Sequence, residues 1–177
     1  EAFGLQRVIV VPGDSDVSDA VKQEMGRAAA RVLAGVLKPG DVVAVMGGTT
    51  MACVASQMQS SAPLRDNWFV PARGGLGESV DVQASTIASE MAKRTGARYR
   101  MLHMPDHLGD EAYQTMMQEP NVPEVVEMIR SARVVVHGIG EAMTMARRRK
   151  LDERTMEELR REGAVAEAFG YYFDRSG

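Results

Sequence analysis

Four short stretches of this sequence combine glycine with hydroxyl, guanidinium or carboxylate side chains, the groups that hold a small anion bearing hydroxyls. They are Gly13-Asp14-Ser15-Asp16, Gly47-Gly48-Thr49-Thr50, Arg73-Gly74-Gly75-Leu76-Gly77-Glu78 and Gly138-Ile139-Gly140-Glu141. In the second, two glycines let the backbone approach a ligand closely, and a helix starting there would aim free N–H groups at it. Thr49 and Thr50 add hydroxyl donors, which suits a phosphate. The competing reading is a tight strand-to-helix turn with a threonine cap, but paired threonines exceed what a cap requires. The lysine of a Walker A loop is absent.

Arg73 offers a guanidinium able to grip a phosphate bidentately, and residues 74–77 can form a nest of backbone N–H groups. Its alternative is a surface salt bridge, for instance with Glu78. Gln83, a few residues on, is placed either to reach a sugar hydroxyl or simply to face solvent. Gly138-x-Gly140 suggests a dinucleotide fingerprint, yet Met143 stands where the third glycine belongs, so no nicotinamide cofactor is expected. The basic run Arg147-Arg148-Arg149-Lys150 suits a helix C-terminus, with one arginine free to turn toward a second phosphate. Glu167, inside an apolar stretch, must either point to water or be buried with partners.

His103 and His107 are four apart, but Pro105 between them breaks a shared helical face, and no metal site is expected. His137 and Cys53 are read as core residues, Cys53 on a helix face turned to the sheet. The 13 methionines are read as adaptable packing.

These loops need a scaffold that brings them together. Short apolar runs at residues 7–11 (RVIVV), 41–46, 68–70, 99–103 and 134–137 alternate with helical patterns at 18–37, 49–59, 82–94, 111–118, 142–150 and 153–161. Pro123 fits the first turn of a further helix. An apolar segment over 164–169 and a late strand at 171–173 close the chain. Strands of about five residues separated by helices predict right-handed βαβ units: a Rossmann-like, doubly wound α/β fold, mostly parallel, with helices on both faces. Ligands then bind beyond the carboxyl ends of the strands, where the four loops would share one rim.

With 177 residues, 45% hydrophobic and 25% charged, the chain is expected to form one domain, residues 1–177, of ordinary globular composition. Its net charge of -3 argues against non-specific contact with nucleic acid. A single cysteine excludes an internal disulfide and suits the cytoplasm, the expected location. The chain opens at Glu1 rather than methionine and is read as a fragment, with any DNA-binding module outside it.

The stretches VVPGDSD, KQEMGRAA, VAVMGGTTM, FVPARGGLGE, VQASTIA, VHGIGEAMTMARRR and AVAEAFGYYF together resemble the effector-binding domain of the SorC family of bacterial sugar-responsive repressors. The resemblance implies a fold related to sugar-phosphate isomerases and deaminases, without catalysis and without a cofactor. It implies fructose 1,6-bisphosphate, or a related sugar phosphate, as effector. Carried over by position, Gly48, Thr49, Thr50 and Arg73 hold one phosphate. Arg148 serves the other, helped by N–H groups near Gly75, Leu76, Gly77 and Glu78, while Gln83 and Glu167 meet sugar hydroxyls. It further implies homodimers, tetramers on DNA, and operator contact through an amino-terminal winged-helix domain that this chain lacks. The chain also stops before the closing strands in which the family places a lysine of the phosphate site. The rival expectation is a sugar-phosphate isomerase or deaminase, with Asp14, Asp16 and Glu167 as its candidate acid–base groups.

Overall fold

The computed structural model describes residues 4–75, 79–106 and 108–177. Leu76, Gly77, Glu78 and His107 lie outside the described residues, so the expectations placed on them are not addressed below.

β1 (Val42–Val45), β2 (Trp68–Pro71), β3 (Arg98–Tyr99) and β4 (Val134–Val136) form a parallel sheet in the order β3-β2-β1-β4. β-Branched residues dominate β1 and β4, as a pleated, covered surface favours. The chain steps outward from β1 to β2 and β3, then crosses back to place β4 on the other side of β1. The crevice between the carboxyl ends of β1 and β4 is therefore the switch point at which such sheets take ligands.

α1 (Asp19–Val36), α2 (Thr49–Gln57) and α3 (Ala84–Thr95) cover one face. Val43, Val45 and Phe69 point into this layer and meet Leu33, Met51, Val54, Ile87 and Met91, all buried. On the other face α5 (Asn121–Arg130) lies against β1 and β2, with Val122 and Val125 packed on Leu102. α4 (Asp110–Met116) precedes it. The expected two-sided α/β architecture is present.

A second, antiparallel sheet holds β5 (Gly140–Glu141), β6 (Ala166–Ala168) and β7 (Tyr171–Phe173), with α6 (Ala142–Arg148) and α7 (Glu153–Arg161) between β5 and β6. Asp152 caps α7, accepting from Thr155 N–H at 3.0 Å. No helix among the described residues is long and apolar enough to cross a membrane.

Several elements depart from the sequence reading. Residues 7–11 form no strand, and Val8, Ile9 and Val10 are exposed. A β-branched run becomes a strand only where a neighbour takes up its backbone hydrogen bonds, and no described segment does so. The strand expected over 99–103 pairs only at Arg98–Tyr99, at the sheet edge. The strand at 134–137, whose continuous apolar run suits a covered position, is half-covered, with Val135 46% exposed, because β4 is the outermost described strand on its side. Cys53 faces α1 rather than the sheet. A Cβ on Gly26 of α1 would stand 2.7 Å from the Cys53 carbonyl carbon, and Gln23 Nε2 lies 3.3 Å from its sulfur. The close α1–α2 approach therefore depends on glycine at 26.

Candidate functional site

The carboxyl ends of β1, β2 and β4 open into a cavity of about 500 Å³. All four glycine-bearing loops reach it, through Ser15 and Asp16, Gly47 to Thr50, Arg73 to Gly75, and Gly138 to Glu141. Volumes between about 300 and 1,000 Å³ are usual for small-molecule sites.

The floor is the start of α2. Gly48 is its N-cap, at φ 121°, a conformation that costs a side-chain-bearing residue and that glycine adopts freely. No side chain caps the helix, so its first N–H groups, from Thr49 onward, lack intrahelical acceptors and face the cavity. Gly47 packs closely: a Cβ there would meet the Val82 carbonyl oxygen at 2.5 Å, and Gly48 N–H donates to that oxygen at 2.8 Å. The bend thus locks the β1–α2 turn to the segment leading into α3, whose N-cap is Gln83, another lining residue.

The walls carry two ion pairs. Arg73 donates through Nε to Asp106 Oδ1 at 2.5 Å and through Nη2 to Asp106 Oδ2. Their side chains are 13% and 7% exposed. Arg149 donates to Glu167 Oε1 at 2.5 Å, with both side chains about 5% exposed or less. Gly170 N–H donates to the same oxygen at 2.5 Å. The two guanidinium groups converge on Gly170, where a Cβ would lie 2.9 Å from Arg73 Nη1 and 3.3 Å from Arg149 Nη1. Arg73 Nη1, Arg149 Nε and the Tyr172 hydroxyl are buried without hydrogen-bond partners among the described residues. Burial pushes the Tyr172 hydroxyl pKa up, so it stays protonated at neutral pH.

This wiring revises the sequence reading. The fork of Arg73 grips Asp106, 33 residues away, so a carboxylate of this chain stands where the sequence reading places a phosphate. Of the basic run, Arg149 is the residue turned inward. Arg148, the expected one, lies exposed at the cavity wall with no ion-pair partner among the described residues. Glu167 is buried with partners, the second of its two alternatives, and its Oε2 is not engaged by them. His137 is half-buried rather than core, its ring 3.9 Å from that of Phe169.

Glu141 also lines the cavity but is spent on α6. Its carboxylate accepts from Met143 N–H at 2.9 Å and Thr144 N–H at 2.6 Å. The Thr144 side-chain hydrogen bond first, then these backbone donors, hold its pKa below the usual carboxylate range. Asp14 accepts from Asp16 N–H at 2.8 Å in a local turn. Among the described residues no cluster of three or more His, Cys, Asp or Glu stands ready for a metal.

The family model "Putative sugar-binding domain" matches residues 1–177. The central glycolytic genes regulator of Priestia megaterium is 50% identical over 178 residues, covering 100% of this chain and 52% of that protein. Its namesake in Bacillus subtilis is 46% identical over 177 residues, with the same coverage. This chain thus spans about half the length of these relatives. Among solved structures, a "putative SorC family transcriptional regulator" from Enterococcus faecalis is 48% identical, with a TM-score of 0.90 over 99% of this chain and 72% of that one.

Proposed function

Because this chain belongs to the sugar-binding domain family of SorC regulators, we propose that it is the effector-binding domain of a transcriptional repressor of glycolytic genes. Its ligand is a phosphorylated sugar, fructose 1,6-bisphosphate above all. The observation that carries this reading is the uncapped α2 N-terminus facing a cavity ringed by arginines. One phosphate sits on the N–H groups of Thr49, Thr50 and Met51, where the helix dipole favours negative charge, with both threonine hydroxyls beside it. The second lies against Arg148, whose charge has no ion-pair partner among the described residues to surrender. Gln83 and Glu167 Oε2 serve the sugar hydroxyls between them.

A binding role is favoured over catalysis by the state of the carboxylates. Asp106 and Glu167 are held in ion pairs and Asp14 in a turn, which leaves Asp16 at the cavity edge and no poised acid–base pair among these carboxylates. Regulation would follow if the ligand bound one subunit arrangement more tightly than another, since only differential affinity shifts such an equilibrium. Operator contact would fall to another part of a longer protein, as the net charge of -3 suggests.

Thermal denaturation with a panel of sugar phosphates tests the proposal. At a ligand concentration a hundredfold above Kd, binding adds about 2.7 kcal/mol, or roughly 5–11 °C in Tm for a domain of this size. Arg148→Ala should leave the unliganded Tm unchanged and remove most of the shift with fructose 1,6-bisphosphate. Arg73→Ala is a poorer probe, because it also removes an ion pair of the nearly buried Asp106 carboxylate. Equal shifts in wild type and Arg148→Ala would refute the assignment of Arg148, and no shift with any sugar phosphate would refute the function.

A further inference from the structure

The hairpin joining β6 to β7 has a two-residue turn, Phe169-Gly170, between the paired Ala168 and Tyr171. Both turn residues have positive φ, 58° and 89°. Turns of this type favour asparagine, aspartate or glycine at the first position, because a bulky side chain is strained there. Phenylalanine is a poor choice for the turn itself. Nor does the core claim its ring, since Phe169 is 39% exposed and belongs to neither core cluster, its ring lying against that of His137 at 47° between planes. Yet the ring lines the cavity, and it is the one aromatic among the described lining residues. The turn is also anchored, through Gly170 N–H, to the carboxylate of the Glu167–Arg149 pair, so its position is fixed relative to the cavity walls.

A strained residue kept where its ring faces a cavity points to a use for that ring. We propose that Phe169 is a specificity-determining residue that covers the carbon face of the bound sugar. This deepens the sugar-phosphate reading above and rests on it. A sugar presents hydroxyls at its rim and C–H groups on its face, and those hydrogens suit the negative face of an aromatic ring. The helix terminus and arginines recognise phosphate alone; the ring distinguishes a sugar phosphate from a bare anion of similar charge.

The test compares fructose 1,6-bisphosphate with inorganic pyrophosphate by calorimetric titration of wild type, Phe169→Asn and Phe169→Tyr. Asparagine keeps the turn conformation and removes the ring. It should raise the Kd for fructose 1,6-bisphosphate roughly three- to tenfold, the range expected of one aromatic contact. The Kd for pyrophosphate should stay unchanged, and so should the unliganded Tm or rise. Phe169→Tyr should bind both as wild type does. Unchanged binding of fructose 1,6-bisphosphate to Phe169→Asn would overturn the role of the ring and leave the sugar-phosphate reading standing. Parallel loss of both ligands would mean the ring merely holds the hairpin, and would also overturn it. Failure of wild type to bind fructose 1,6-bisphosphate while binding pyrophosphate would instead sink the underlying reading, and this inference with it.

Discussion

Replacing Glu167 by glutamine is the perturbation on which the description of the site bears hardest. The side chain keeps its shape but loses its charge, leaving Arg149, 4% exposed, without a counter-ion. Arg149 Nε already lacks a hydrogen-bond partner, so the guanidinium has no local reserve. Removing one member of a buried pair costs about 3–5 kcal/mol, since the surviving charge stays desolvated. At about 2–4 °C per kcal/mol for a domain of this length, Tm should fall by roughly 6–20 °C. Circular dichroism melting at neutral pH measures it, and repeating the melt in 0.5 M salt should change the difference little, because buried pairs are poorly screened. Substituting both partners with apolar residues, Arg149→Met with Glu167→Leu, should recover most of the loss, as no charge is then stranded. A Glu167→Gln protein melting within about 1 °C of wild type would show that water reaches the pair. The account of a dry, charge-wired wall would then be wrong.

Two further outcomes follow from particular contacts. Gly47→Ala should abolish sugar-phosphate binding in the same titration, because its Cβ would press on the Val82 carbonyl and push the β1–α2 turn off the segment leading into Gln83; undiminished binding would show that this turn does not shape the floor. Glu141 caps α6 as a carboxylate with a lowered pKa, so its contribution is present at neutral pH and is lost as pH falls below about 4.5 and through the lower folded-state value. Glu141→Ala should therefore cost about 0.5–1 kcal/mol at pH 7, the modest end for an exposed cap, and the difference from wild type should shrink in melts taken toward pH 3.

How far the sequence discloses this molecule follows from which interactions are local. β1 and β2 are readable because each apolar run ends in turn-forming residues, and α7, expected over 153–161, is observed over Glu153–Arg161. Gly96 ends α3 in the left-handed region, at φ 75°, as a helix-stopping glycine should. Residues 7–11 carry as strong a strand signal as β1, yet the signal records only compatibility with a sheet; a partner strand is a tertiary fact. Of the second sheet, β7 is readable at its observed bounds, Tyr171–Phe173, whereas β5 and β6 are illegible for the opposite reason. Strands of two or three residues are too short to display an alternation, and helices α6 and α7 separate β5 from its partner.

The same division runs through the site. Glycines beside hydroxyls announce a close backbone approach whatever the ligand, so the loops around Gly47 and Gly138 are visible in the sequence. Partner choice among charges is not. Asp106 sits in a loop with an ordinary turn signature, and it acquires a role only when β2 and the segment after β3 end side by side. Arg148 and Arg149 differ by one position, about 100° around a helix, and the sequence offers no way to tell which turns inward. The structure decides it at the helix end, where Lys150, at φ 54°, takes the chain out of α6. Arg149, the last residue before that bend, meets Glu167 on β6, and Arg148 is left facing solvent. One arginine is therefore committed to the wall and its neighbour kept available. That asymmetry makes Arg148 the residue whose removal should cost binding without costing the fold.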